Sequence, residues 1–204
     1  MAHPKNLKTI FTALTLVGTL AISGCSSSSS TRSVSANQRT QTTEAGYDQE
    51  TVLDAAKDVF GDGAEGLAGV IENLFSELGR PNAYIAGEEA GGGIVAALRY
   101  GGGTLYHKIE GERPVHWAGP SVGFEFGGDA AKAFILVYNL YDTQNLYRRY
   151  PAAEGQFYFV GGLGVSYYQR DDIIIVPIRL GVGLRATANV GYIKFTEDQT
   201  LNPF

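Results

Sequence analysis

From Ile174 to Tyr192 every even-numbered residue is apolar: Ile174, Val176, Ile178, Leu180, Val182, Leu184, Ala186, Ala188, Val190 and Tyr192. The odd positions from Pro177 to Gly191 are Pro177, Arg179, Gly181, Gly183, Arg185, Thr187, Asn189 and Gly191. Side chains alternate between faces only on a β-strand, so this stretch must be β-structure with one buried face. The run is longer than a usual strand. It therefore predicts one long bent strand or a hairpin. Its other face, glycine with isolated polar groups, suits a tightly curved sheet.

The rest of the chain agrees with a mainly β domain. After Pro81, short strand-like runs alternate with glycine pairs. They are expected near Ala83–Glu88, Gly93–Tyr100, Thr104–Ile109, Val115–Trp117, Val122–Phe126, Lys132–Asn139 and Gln156–Tyr168. With the opening stretch this makes eight to ten strands at the spacing of a meander. The recurring Gly-Gly pairs mark bends or close backbone approaches. Asp142 can cap one short helix over Asp142–Tyr150, and Asp171-Asp172 reads as a turn.

Two helices are expected ahead of the strands. Val52, Ala55, Ala56, Val59 and Phe60 recur at helical spacing behind Asp48, and Gly61 stops them, giving a helix over 48–60. Leu67, Val70, Ile71, Leu74, Phe75 and Leu78 do the same over 64–78, ended by Gly79-Arg80-Pro81. Their polar faces carry Glu and Asp with one cation, Lys57, which argues for core packing over adsorption to anionic lipid.

Residues 1–24 read as a targeting segment. Lys5 and Lys8 precede a short apolar run, Thr9–Ala21, too short to span a bilayer. Ile22-Ser23-Gly24-Cys25 resembles the bacterial lipoprotein signal, in which the cysteine becomes the lipidated N-terminus. Cys25 is the sole cysteine, which excludes disulfides and thiolate zinc sites and leaves acylation as its expected role. Ser26, where an inner-membrane retention signal usually has Asp, points to the outer membrane on its periplasmic side. Residues 25–46 form a Ser-rich tether expected to be disordered and to reach ~25 Å. Residues 47–204 form the single domain. Loss of residues 1–24 leaves 14 Lys+Arg against 21 Asp+Glu, a formal charge of −7. Such a chain is a poor nucleic-acid binder.

No motif for catalysis stands up. Gly119-Pro120-Ser121-Val122-Gly123 matches the G-x-S-x-G elbow, but strand-like residues follow Ser121 and no histidine follows His116. Gly181-Val182-Gly183-Leu184-Arg185-Ala186 matches a dinucleotide fingerprint, yet alternation continues where a helix must begin. Glu88 and Glu89 are adjacent, so on a strand they face opposite ways. His107, His116 and Asp129 have no metal-site spacing. We therefore expect no metal, no cofactor and no enzymatic activity.

The polar residues of interest are Arg99, Asp129, Arg179 and Arg185, each in or beside an apolar, glycine-rich stretch. They read either as structural charges, including a partly buried Arg–Asp pair that fixes register, or as a basic patch for an anionic head group or glycan. Trp117, the sole tryptophan, could join Tyr and Phe in an apolar groove with arginines at its rim. The terminal Phe204 is reminiscent of outer-membrane barrels, but Pro203 does not suit a final lipid-facing strand.

The block from Arg80 onward resembles the EipA-like envelope-integrity family. The resemblance rests on GRPNAYIAGEEAGGG (Gly79–Gly93), LRYGGGTLYHK (Leu98–Lys108), WAGPSVGFEFGGDAAKAFILVYNL (Trp117–Leu140), VGGLGVSYYQRDDIIIVPIRLGVGLRATANVGYIKFT (Val160–Thr196) and the terminal NPF. It implies a small soluble periplasmic antiparallel β-barrel of about eight strands, with a role in envelope maintenance and no catalytic residues to carry over. The lipidation motif and serine tether depart from the family's usual soluble form. A slighter similarity, through Gly127-Gly128-Asp129-Ala130 and GVGLRATANVG, is to the SYLF lipid-binding domain, and it implies lipid contact.

The expectation is a mainly β lipoprotein held at the membrane by its lipid anchor. It would bind an envelope component such as lipid, lipopolysaccharide or protein through Arg99, Trp117, Asp129, Arg179 and Arg185. The alternative is a hydrolase of envelope glycan or lipid using Glu88, His116 or Ser121.

Overall fold

The computed structural model describes residues 46–61, 64–125, 131–180, 191–200 and 202, with 92–97, 121–125 and 154–157 as backbone alone. Two helices lead: α1 (Gln49–Phe60) and α2 (Leu67–Leu78). Seven strands follow among the described residues. They are β1 (Ala83–His107), β2 (Gly111–Glu125), β3 (Ala131–Tyr138), β4 (Arg149–Val160), β5 (Leu163–Arg170), β6 (Ile173–Leu180) and β7 (Tyr192–Thr196). A short 3₁₀ helix, Thr143–Leu146, lies between β3 and β4.

The strands form a closed barrel in the order β1-β2-β7-β4-β5-β6-β3, and every pairing is antiparallel. A ring of seven strands cannot alternate in direction throughout. The ring closes because β1 enters it twice. Ala83–Glu89 pairs with β3, and Gly93–His107 pairs with β2. The two ends of β1 are themselves joined: the Lys108 N–H donates to the Asn82 carbonyl at 3.0 Å. Counting its two halves separately turns seven strands into eight, the number expected. At this seam the halves touch backbone to backbone, and a Cβ on Gly87 would fall 2.3 Å from the Gly102 oxygen. Only glycine fits there.

The helices cover one side of the barrel. Val52, Ala56 and Phe60 of α1 and Leu67, Val70, Ile71 and Leu74 of α2 pack on the outer face of β3, β5 and β6, against Phe134, Leu136, Val165, Val176 and Ile178. Twelve-residue helices are marginal alone in water, so this docking holds them. The inside of the barrel is a second core, with Ile85, Leu105, Val115, Ile135, Val137, Tyr150, Ile175 and Phe195.

This layering corrects the expectation of one buried face for the opening stretch. In β6 the even residues Val176 and Ile178 meet the helices while Ile175 and Arg179 are buried on the other face. Both faces are covered. The glycine pairs correct a second expectation. Gly101, Gly102 and Gly103 lie within continuous β1, which takes in three of the expected short strands. Gln156–Tyr168, expected as one run, is instead parts of β4 and β5 around a turn at Gly161-Gly162, both with positive φ.

The helix signals read well. The Asp48 carboxylate accepts from the Thr51 N–H at 2.9 Å, and Gly61, at φ 79°, donates to the Lys57 carbonyl. These hydrogen bonds hold the Asp48 carboxyl below its ordinary range. The Asp142 cap also forms, accepting from the Gln144 N–H at 2.8 Å, but its helix is a four-residue 3₁₀ turn. Tyr150, expected to end that helix, is instead fully buried on β4. Among the described residues no helix is long and apolar enough to cross a membrane.

Candidate functional site

The ladder between β1 and β2 sets Gly101 opposite Trp117 and Gly102 opposite His116. Consecutive residues point to opposite faces. The two rings therefore lie on the two sides of the barrel wall, each over a glycine. A Cβ on Gly101 would sit 2.1 Å from Trp117 Cε2, so the indole rests on bare backbone. A Cβ on Gly102 would sit 3.2 Å from His116 Cδ2.

On the inner side, Trp117 anchors a charged cluster. Its Nε1–H donates to Glu89 Oε2 at 3.2 Å. The other Glu89 oxygen accepts from Arg179 Nε, and Arg179 Nη1 donates to Ser166 Oγ at 3.3 Å. Glu89, Arg99, Arg179, Ser166 and Trp117 are all buried. Burial by itself would raise the Glu89 pKa. The charges of Arg179 and Arg99 and the hydrogen bonds from Arg179 and Trp117 outweigh it, and the carboxyl is held below its ordinary range. The neighbouring Tyr168 hydroxyl is pushed up, chiefly by burial and against the pull of both arginines. The space beside Arg99, Tyr168 and Tyr192 is about 10 Å³, room for one water at most.

Three of the expected ligand-binding residues, Arg99, Trp117 and Arg179, thus come together. They do so buried inside the barrel wall, and Trp117 also lines the cleft described below. The buried pair is Arg179 with Glu89. Asp129, Arg185 and the lipidation candidate Cys25 lie outside the described residues.

A cleft of about 370 Å³ lies at the same stretch of wall. Glu88, Tyr100, His116, Thr196, Gln199 and Thr200 line it, over a floor of Gly101 and Gly102, and Glu89, Ala90 and Trp117 line it as well. The Glu197 carbonyl lies 3.1 Å from His116 Nδ1. A carbonyl only accepts, so Nδ1 carries the proton and the neutral ring offers Nε2 as an acceptor. Glu88 forms no ion pair among the described residues.

The other candidates separate. Ser121 lies opposite Ala97 within continuous β2, so the strand–turn–helix of a nucleophile elbow is absent there. Buried His107 uses both ring nitrogens: Nε2 is 2.6 Å from the Leu140 carbonyl, and Nδ1 accepts from the Ile109 and Glu110 N–H groups. Among the described residues no three His, Cys, Asp or Glu converge as a metal site.

Sequence reasoning missed Glu89 as the partner of Arg179. A signal existed. Glu89 stands in register with Ala83, Ile85 and Gly87 on the inward face of β1, where a carboxylate needs a partner. Gln199 and Thr200 carried no comparable signal, being past the last strand.

The chain matches, over residues 45–204, the family model described as EipA, envelope integrity protein A. A crystal structure of a beta-barrel-like, uncharacterized protein from Brucella abortus is similar, with 40% identity and a TM-score of 0.69. The similarity covers 78% of this chain and 99% of that one. No curated protein matches.

Proposed function

Because the chain belongs to the envelope integrity protein A family, we propose that it supports the cell envelope by binding, as a non-catalytic lipoprotein anchored through Cys25 on the periplasmic side of the outer membrane. Its ligand is an envelope component, whether lipid, lipopolysaccharide or protein, and its binding surface is the cleft between Glu88 and His116. One observation supports this reading above others. The space beside Arg99 and Arg179 has room for about one water, whereas the cleft lined by Glu88 and His116 is about 370 Å³, within the ~300–1,000 Å³ of small-ligand sites. The arginines inside then serve the wall and the cleft serves the ligand. The Cys25 anchor is supported by the lipoprotein-like signal ahead of it.

A second reading has one observation in its favour. Glu88 and His116, two residues of the hydrolase alternative, line the same cleft. A carboxylate and an imidazole on either side of a bound glycan or ester can act as acid and base. Mass spectrometry separates the two. The purified protein, incubated with envelope extract, should return its ligand intact. New cleavage products that disappear with Glu88→Gln would replace binding by hydrolysis. If Ser121→Ala, His116→Ala and Glu88→Gln all restore detergent resistance to a deletion strain, hydrolysis fails.

A further inference from the structure

We propose that the cleft between Glu88 and His116 takes a neutral sugar unit of an envelope glycan, and not a lipid tail or a phosphate group. The inference rests on the reading of this cleft as the binding surface.

The lining decides the ligand class. Among the described residues it contains no Leu, Ile, Val, Met or Phe. An acyl chain is held where it leaves water for aliphatic surface, and here it would meet glycine backbone, hydroxyls, the carboxylates of Glu88 and Glu89 and the polar-edged rings of Tyr100, His116 and Trp117. Among the described residues the lining also contains no Lys or Arg. A phosphate would find no cation among them and would face the carboxylates of Glu88 and Glu89. The arginines nearest by, Arg99 and Arg179, are buried on the inner side.

What the cleft does present matches hydroxyl groups. Glu88 and His116 Nε2 are acceptors, while Thr196, Gln199 and Thr200 can both donate and accept. A ring bearing several hydroxyls donates to the first two and exchanges hydrogen bonds with the rest. The spacing fits as well. Gly87 touches Gly103 across the seam, which puts Glu88 beside Gly102, and Gly102 pairs with His116. Acceptor and acceptor are thus two strand spacings apart, roughly 9–10 Å, with a side-chain-free strand between them as a floor. A flat ring lies in such a gap.

Trp117, the sole tryptophan, borders the cleft and reports on it. The full chain, extracted in mild detergent, would be titrated with three probes: lipid-free polysaccharide released from lipopolysaccharide, peptide-free peptidoglycan glycan strands, and anionic phospholipid vesicles. Tryptophan fluorescence and calorimetry would be read together. A saturable response to one glycan and none to vesicles is expected, and which glycan responds identifies the source. Glu88→Gln, which leaves the fold's cores untouched, should weaken binding at least ten-fold, and Gly102→Leu, which fills the floor, should abolish it. Absence of a response to both glycans, or a glycan response unchanged in both variants, overturns the inference. Vesicle binding without glycan binding would overturn the sugar while leaving envelope binding intact. Silence with all three probes, and no ligand carried through native mass spectrometry, would remove both.

Discussion

Glu89 and Arg179, 90 positions apart in the chain, bond across the inner face of β3, the strand that separates theirs in the ring. The pair ties three strands together in a buried setting. Removing one partner of a buried ion pair typically costs about 3–5 kcal/mol, since the other charge stays behind. Glu89→Gln should therefore destabilise the barrel by roughly that amount in urea titrations.

The same carboxylate sets a pH dependence. Its folded pKa is depressed, so the stability it contributes is complete above the ordinary carboxylate range. That contribution is lost as pH falls through the range toward the folded pKa. Melting temperatures measured across the acid range should drop in the native chain and drop less steeply in Glu89→Gln. Parallel curves would show that other carboxylates dominate.

Gly101→Ala tests the indole's seat. No real Cβ tolerates 2.1 Å, so Trp117 must leave the backbone it covers. Overpacking of this kind costs about 1–3 kcal/mol. The variant's tryptophan emission should shift as the ring loses its place against Phe195, now 6.3 Å away between centroids. An unshifted spectrum at native stability would show that the wall yields instead.

Tyr138 offers a stabilising change. Its hydroxyl is buried, without a hydrogen-bond partner among the described residues, and burial pushes its pKa up. Tyr138→Phe removes an unpaired polar atom and keeps the ring packed under the helices. A gain of about 1 kcal/mol is expected in chemical denaturation. A loss would reveal a hydrogen-bonding water at that oxygen.

Cys25→Ser should release the protein from membranes into the soluble fraction. Unchanged sedimentation with membranes would sink the lipid anchor.

The local grammar of the fold was legible. Asp48, Gly61, Gly79 and Asp142 marked helix ends through their own chemistry, and the alternation from Ile174 announced a sheet. What failed was long-range. The glycines read as bends or close backbone approaches, and which of the two holds is decided by distant residues: Gly101 lies under the Trp117 ring and Gly103 against the Ala86 backbone, each too close for a Cβ. Arg179 read as a surface charge, half of a partly buried pair with an Asp, or part of a basic patch; the partner that buries it is Glu89, and nothing local brings β1 near β6. The residues of the cleft come from β1, β2, β7 and the segment after it, a grouping that exists only once the ring has closed.

That closure has a kinetic side. β7 is the last of the seven strands along the chain, and it is the stave between β2 and β4, joined by His116–Ala118 on one edge and Arg149–Pro151 on the other. Tyr192–Thr196 closes the ring only through pairings with residues far earlier in the chain, non-local contacts of the kind that form slowly. Thr196 of that stave, with Gln199 and Thr200 behind it, also forms one bank of the cleft. The same short segment thus seals the wall and completes the cleft, so an unfinished barrel has neither.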